Sequence, residues 1–213
     1  MHTDSAFNDA AQPLSRTLAT LIDGIEGDTV TLRQLMHAVG EQGLLLICAL
    51  ASLPFLIPVS IPGVSTVFGA AIILIGIAVF LNRLPWLPAR ILDKELDTAR
   101  LVPTLRKGVG VVSRVDKYIK PRFASFTGSI FANRINALAI AAGGLLLMFP
   151  LGLIPFSNTL PGIAILLTAL GMLQRDGAVV ICGYIFLALT TFYFGALGFV
   201  ALRAGNGLAS MLG

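Results

Sequence analysis

Two short stretches decide how this chain is read: Ile57-Pro58-Val59-Ser60-Ile61-Pro62-Gly63 and Ile154-Pro155-Phe156-Ser157-Asn158-Thr159-Leu160-Pro161-Gly162. Both run Ile-Pro-apolar-Ser, then one or three residues, then Pro-Gly. Each follows an earlier proline, Pro54 in one case and Pro150 in the other. Proline lacks a backbone donor and clashes with the preceding helical turn, and glycine permits a tight reversal. Each stretch therefore predicts a break in what would otherwise be a membrane helix. A break at membrane depth frees backbone polar groups that lipid cannot satisfy, so protein, water or a ligand must lie near them.

Working outward, both stretches sit inside segments with no Asp, Glu, Lys or Arg, residues 44–81 and 135–174, and residues 177–202 form a third. Runs of 18 or more such residues are candidates for membrane spans. The chain is 56% apolar and only 12% charged, with mean hydropathy +0.87, against about 25% charged residues in soluble domains. The expectation is an all-α integral membrane protein. Residues 44–53 supply only about ten helical residues before the first break, roughly 15 Å at 1.5 Å each. That is half of a core of about 30 Å, so the hairpin is either re-entrant or built of short spans. The second hairpin has the same plan, with an approach arm at 137–149, a break at 150–162 and a return arm. The return arms end alike, in Leu81-Asn82-Arg83 and Leu173-Gln174-Arg175. Internal duplication accounts for this, and such repeats meet at a pseudo-symmetry axis with the interrupted helices facing each other. A parallel pair follows if the intervening linker stays on one side. Residues 178–202, between the turn Arg175-Asp176-Gly177 and Arg203, are long enough to cross once. The chain thus divides into an N-terminal amphipathic helical hairpin (1–43), a first broken hairpin (44–81), a basic amphipathic linker (82–134), a second broken hairpin (135–174) and a transmembrane helix (178–202).

The flanks set sidedness. Residues 1–43 hold six acids and two bases, whereas 82–134 hold eleven bases and four acids. A basic loop beside membrane segments lies on the cytoplasmic side and meets anionic headgroups; it does not imply a nucleic-acid partner. Residues 1–20 are polar and mixed in charge and lack the pattern of a signal peptide. Leu14, Leu18, Leu21, Ile22 and Ile25 recur at helical spacing. Thr31-Leu32-Arg33-Gln34 reads as a capping box opening a short helix that Gly40-Glu41-Gln42-Gly43 closes. In the linker, Trp86 is an interfacial anchor, amphipathic helices are expected at 89–105 and 109–119, and Phe123, Phe126, Ile130 and Phe131 dip into the bilayer edge. Cys48 and Cys182 read as small buried hydrophobes. His2 and His37 are isolated, and the sequence suggests no metal site and no cofactor.

No carboxylate pair, nucleophile elbow, phosphate loop or dinucleotide fingerprint is present, so the sequence does not read as an enzyme. The candidate site is the pair of breaks: Pro54, Pro58, Ser60, Pro62, Gly63, Ser65 and Thr66 in the first, and Pro155, Ser157, Asn158, Thr159, Pro161 and Gly162 in the second. Half-helices starting at Val64 and Ile163 would present free N–H groups and a positive dipole end to an anion or polar headgroup. The alternative is that the hydroxyls only cap the helix ends. Secondary candidates are Glu41, Arg83, Arg175 and Asp176. Gly69, Gly76, Gly143, Gly144 and Gly171 read as sites of close helix packing, as do Tyr184, Thr190, Thr191 and Tyr193.

The run Gly27-Asp28-Thr29-Val30-Thr31-Leu32, the run Gly40-Glu41-Gln42-Gly43, both breaks, and Leu173-Gln174-Arg175-Asp176-Gly177 resemble the ExoD family of bacterial exopolysaccharide synthesis proteins. The resemblance spans roughly residues 14–200. It implies a multi-pass protein of the bacterial inner membrane linked to exopolysaccharide synthesis or export, whose loss in some bacteria brings alkali sensitivity; it carries over no catalytic residues. Together with the breaks it suggests an anionic, polyprenyl-phosphate-linked saccharide as substrate, with membrane lipids and a second copy of the chain as partners. The alternatives are a small ion or proton transporter, and a structural or regulatory subunit of a polysaccharide synthase.

Overall fold

The computed structural model describes residues 22, 29–56, 63–82, 93, 95–98, 102, 103, 123, 126–149 and 154–212. Its elements are β1 (Thr29–Thr31), α1 (Leu32–Ser52) with a 3-10 turn at Leu53–Leu56, α2 (Val64–Leu81), β2 (Glu95–Asp97), α3 (Ile130–Leu147), α4 (Thr159–Leu173) and α5 (Gly177–Leu212). The described chain is thus helical apart from two three-residue strands, which pair antiparallel with Thr29 opposite Asp97 and Thr31 opposite Glu95. That pairing was not foreseen. Residues 1–21 and 23–28, Pro58, Ser60, Pro62, Arg83, Trp86, Pro150 and most of the basic linker lie outside the described residues.

Local chemistry explains the boundaries. The capping box forms as expected: Gln34 N–H donates to Thr31 Oγ1 (3.2 Å), and Thr31 N–H donates to Gln34 Oε1 (2.9 Å). The expected stop at 40–43 is met at Gly40, which takes φ 57°, ψ −143°, a conformation essentially reserved to glycine. The capped helix ends at this kink, and a second helical stretch directly beyond it runs to Ser52. At its end Pro54 has no N–H to give to the Leu50 carbonyl, which accepts from Leu53 instead. The last turn tightens to 3-10, and Ser52 Oγ bonds the Ala49 carbonyl at 2.7 Å.

Helix α2 resumes after Gly63, which sits at φ 84°. Helix α3 starts at Ile130, earlier than the expected approach arm, because Ser129 Oγ caps the Ala132 N–H (3.0 Å). Helices α4 and α5 form a hairpin. Asp176 N–H reaches the Gly171 carbonyl (2.8 Å) and Arg175 N–H the Met172 carbonyl (3.2 Å), the two bonds of a Schellman motif. Asp176 then caps α5 by accepting from Ala178 N–H (2.9 Å).

Helix α1 packs on α4, α4 on α3, α3 on α2 and α2 on α1, a closed ring of four; α5 lies outside it, along α4 and the edge of α3. Lipid supplies no hydrophobic drive for helix association, so close backbone approach at small residues carries the packing. A Cβ built on Gly144 would lie 3.0 Å from the Gly69 carbonyl oxygen, and one on Gly76 3.0 Å from that of Ala137. Gly143 is as tight against Ile165, and Gly171 against Val180. These are the packing glycines expected from the sequence; Gly183, against Thr168, joins them. The centre is filled by Cys48, Ile72, Ile140, Leu147, Ile165 and Ala169. Cys182, expected to be buried, is exposed on α5. Val64–Leu81, Ile130–Leu147 and Gly177–Arg203 are long and apolar enough to cross a membrane; Gly40–Leu56 and Thr159–Leu173 are shorter.

Candidate functional site

The helix ends flanking the two proline–glycine stretches lie at the same end of the four-helix ring, and two seams join them. The end of α1 meets the start of α4: a Cβ on Gly162 would lie 2.9 Å from Phe55 Cβ and 3.5 Å from the Ser52 carbonyl oxygen. The start of α2 meets the end of α3: a Cβ on Gly69 would lie 2.6 Å from Met148 Cγ and 2.8 Å from the Gly144 carbonyl oxygen. Phe55 also stacks edge-on against Phe68 at 5.7 Å. The helix ends on either side of the two stretches thus meet in two seams.

Ser65, Ser157, Asn158 and Thr159 are buried at this end, as are Pro161 and Gly162. Pro54, Gly63, Thr66 and Pro155 are exposed. Pro58, Ser60 and Pro62 are outside the described residues. Neither Gly63 nor Asn158 caps its helix with a side-chain hydrogen bond.

Helix α4 begins at Thr159, not at Ile163. Leu160 N–H bonds the Phe156 carbonyl (3.1 Å) and Gly162 N–H the Asn158 carbonyl (3.0 Å). Pro161 occupies the first turn, where a missing donor costs nothing. Gly162 is there for its closeness to Phe55 rather than to end a helix. Fewer backbone donors remain at α4 than a helix starting at Ile163 would offer. At α2 the first-turn N–H groups of Val64, Ser65 and Thr66 have no intrahelical acceptor; Val67 N–H is the first to find one, at Gly63 (3.3 Å).

The preceding turn is held in an unusual shape. Phe156 has φ 63°, rare for a non-glycine residue and rarer for a bulky one. Tyr193 Oη of α5 donates to the Pro155 carbonyl at 2.9 Å, and Phe194 packs on Phe149 at 5.8 Å. The end therefore offers hydroxyls, one amide and backbone donors. Among the described residues it holds no acid, base or cysteine nucleophile, and no group of three metal-ligating side chains exists.

The secondary candidates lie at the opposite end, away from the stretches. Glu41 Oε1 accepts from Asn133 Nδ2 at 2.7 Å. The Arg175 carbonyl accepts from Thr127 Oγ1 at 3.2 Å, Asp176 is spent on capping α5, and Arg83 is outside the described residues. This end carries a network that sequence reasoning missed. Asn136 is buried; its amide donates to the Phe126 carbonyl (2.8 Å) and its oxygen accepts from Tyr184 Oη. The signal was available: Asn136 is the one side-chain amide among residues 135–149. Tyr184 bonds across to α3 and Tyr193 to the turn before α4, while Thr190 and Thr191 return their hydroxyls to their own helix.

A profile of the family described as "Exopolysaccharide synthesis, ExoD" matches residues 14–196. The chain is 63% identical over 203 residues to a protein named Protein ExoD from Rhizobium meliloti (strain 1021), covering 95% of this chain and 85% of that one. It is 29% identical over 164 residues to an uncharacterized protein from Synechocystis sp., covering 76% of each. No solved structure matches.

Proposed function

The chain belongs to the ExoD family of exopolysaccharide synthesis proteins, and on that premise we propose that it is a non-enzymatic membrane component that holds an anionic, lipid-linked substrate group at the joined proline–glycine breaks. The observation that carries this reading is the Gly162–Phe55 contact. It brings the two breaks into one polar end whose helix starts lack side-chain caps. A polyprenyl-phosphate-linked saccharide fits such an end, since N–H and hydroxyl donors at a helix start favour an anion.

The reading includes a duplicated architecture. The two seams pair the approach arm of each hairpin with the return arm of the other, and that exchange is what a two-fold axis between parallel repeats requires. From Gly63 to Arg83 is twenty residues, and from Gly162 to Arg175 is thirteen. Seven residues are nearly two whole turns, so the second return arm keeps its facing while losing length. Three contacts support a common sidedness for the chain's polar segments. Strand β1 pairs with β2, Glu41 with Asn133 and Thr127 with Arg175. Residues 29, 41, 95, 127 and 175 then share one face, the cytoplasmic face of a bacterial inner membrane by the charge of the linker.

The test joins lipid chemistry to genetics. Purified protein is extracted and its lipids analysed by mass spectrometry, and a Ser60→Ala/Asn158→Ala variant is returned to a strain lacking the protein. Copurifying polyprenyl phosphate and a variant that fails to restore polysaccharide are expected. If no polyprenyl lipid copurifies and the variant restores polysaccharide fully, the reading is wrong.

A further inference from the structure

The turn that leads into α4 is held in a shape its own sequence does not favour. Ser157 N–H bonds the Ile154 carbonyl (3.3 Å) across Pro155 and Phe156, and Phe156 has φ 63°. A four-residue turn with proline second and a positive φ third is type II. Its third position belongs to glycine or asparagine. Phe156 is neither, and a side chain in the left-handed region disfavours the shape by roughly five- to thirtyfold. A type I turn keeps the same bond between first and fourth residues, accepts proline second and takes most residues third. The two forms differ by one peptide. Passing from type II to type I turns Pro155 ψ by about 150° and brings Phe156 φ to about −90°. The Pro155 carbonyl then reverses its direction. Phe156 ψ stays near about 0° in both forms, so the bond from Leu160 N–H to the Phe156 carbonyl (3.1 Å) does not choose between them.

What favours type II lies on another helix. Tyr193 Oη of α5 donates to the Pro155 carbonyl at 2.9 Å, and the reversed carbonyl of a type I turn would point away from it. The hydroxyl is steadied by its neighbour in sequence: Phe194 packs edge-on against Phe149, just beyond the end of α3, with ring centres 5.8 Å apart. A flip to type I would part the carbonyl from the hydroxyl, a loss of the same order as the cost at Phe156. Two opposing effects of similar size therefore meet at one peptide. The C=O and N–H of a trans peptide point in opposite directions, so the type II form also turns the Phe156 N–H away from α5.

We propose that Tyr193 is a positioning residue: its hydroxyl selects the type II form of the Ile154–Ser157 turn, and this form is the one the protein needs for its part in exopolysaccharide synthesis. Helix α5 thereby sets the geometry of the second break as well as packing beside it. The selection does not depend on which group, if any, the breaks hold, so it stands or falls apart from the lipid-linked substrate.

Nuclear Overhauser spectra of the full chain in detergent micelles, isotope-labelled at proline and phenylalanine, test this. In type II the Hα of Pro155 lies against the N–H of residue 156, and in type I the change in ψ carries it away. Pro-Phe pairs occur at 54–55 and 155–156, and the second is identified by its loss in Phe156→Gly. A strong contact is expected in the unsubstituted protein. Tyr193→Phe keeps the ring, shifts the turn toward type I by roughly five- to thirtyfold and weakens the contact severalfold. Phe156→Gly alone keeps it, and Tyr193→Phe/Phe156→Gly, labelled at glycine, regains it, because glycine takes a positive φ without cost. Polysaccharide production in a strain lacking the protein follows the contact: it falls with Tyr193→Phe and returns with the double variant. An unchanged contact in Tyr193→Phe would overturn the selection. A weakened contact with full production, or a double variant that regains the contact but not production, would overturn the positioning role. Phe156→Asn carries the same expectation if the glycine variant fails to fold, since asparagine also tolerates the left-handed region.

Discussion

Gly162 lies against Phe55 so closely that a Cβ added to the glycine would stand 2.9 Å from the phenylalanine Cβ. Phe55 is itself nearly buried, at 4% exposure. This contact joins a residue just before the first proline–glycine stretch to one inside the second.

Gly162→Ala is therefore expected to destabilise the protein by about 1–3 kcal/mol, the usual cost of overpacking. The obstacle is the Phe55 Cβ, which alanine at position 55 would keep. Phe55→Ala should then fail to rescue Gly162→Ala, and the double variant should be less stable than either single one. Unfolding midpoints in detergent measure this. Rescue by Phe55→Ala would show that the ring, not the backbone approach, sets the constraint.

The other seam makes a parallel prediction. A Cβ added to Gly144 would stand 3.0 Å from the Gly69 carbonyl oxygen and meet the side chains of Ile72 and Ile73. Gly144→Leu has no room for its side chain and should force α2 from α3, lowering stability by more than Gly162→Ala does. Gly195→Leu, at a position with nothing within 4 Å, is the control and should leave the midpoint unchanged within about 0.5 kcal/mol. The same thermal scans, run on all three variants, check both statements.

How much of this was legible in the sequence can be read from these residues. Membrane character, the hairpins and the packing glycines followed from charge-free length and from where glycines interrupt apolar runs. The start of α2 at Val64 was readable because Gly63 needs a positive φ. The start of α4 was not, because Pro161-Gly162 looks the same in sequence whether it ends a helix or sits in its first turn. Only the partner decides, and the partner is Phe55, about a hundred residues away. Gly40 was readable as the end of the capped helix; what was not is that the next helical stretch begins directly beyond the kink. The strand pair β1–β2 is three residues long, too short for any alternation to show. Asn136 was visible as a lone amide, but not its partner Tyr184, which lies on another helix.

Arg175 offers a test of whether its side chain matters. It sits at the left-handed position of the Schellman motif, at φ 52°, where an L side chain costs roughly 1 kcal/mol. Arg175→Gly removes that cost and leaves both motif hydrogen bonds, which are made by backbone atoms. Stability should rise by roughly 1 kcal/mol in a detergent melt. If polysaccharide production in the complemented strain is unchanged as well, Arg175 is a turn residue only. If production falls while stability rises, the guanidinium has a role beyond the turn, and the secondary site at this end gains support.

The Asn136–Tyr184 pair separates a bond that holds the fold from one that merely forms. Asn136 is 1% exposed and bonds both Tyr184 Oη and the Phe126 carbonyl, tying α3 to α5 and to the segment before α3. In a membrane the competing state also finds polar partners, so such bonds contribute about 0.6 kcal/mol on average and up to roughly 2. Tyr184→Phe removes one bond and keeps the ring. Asn136→Leu removes both and leaves a buried hydroxyl and carbonyl behind, so it should cost more, in the range of 1–3 kcal/mol for an abandoned polar group. In the double variant the tyrosine hydroxyl is no longer there to be stranded. The double loss should therefore be smaller than the sum of the single losses, by the coupling of about 0.6 to 2 kcal/mol. Unfolding free energies in mixed micelles of sodium dodecyl sulfate provide the four corners of the cycle. Additive losses would mean that the hydroxyl and the amide meet without contributing, and that α5 is held by its other contacts, at Gly171 and Thr168 and at Pro155 and Phe149.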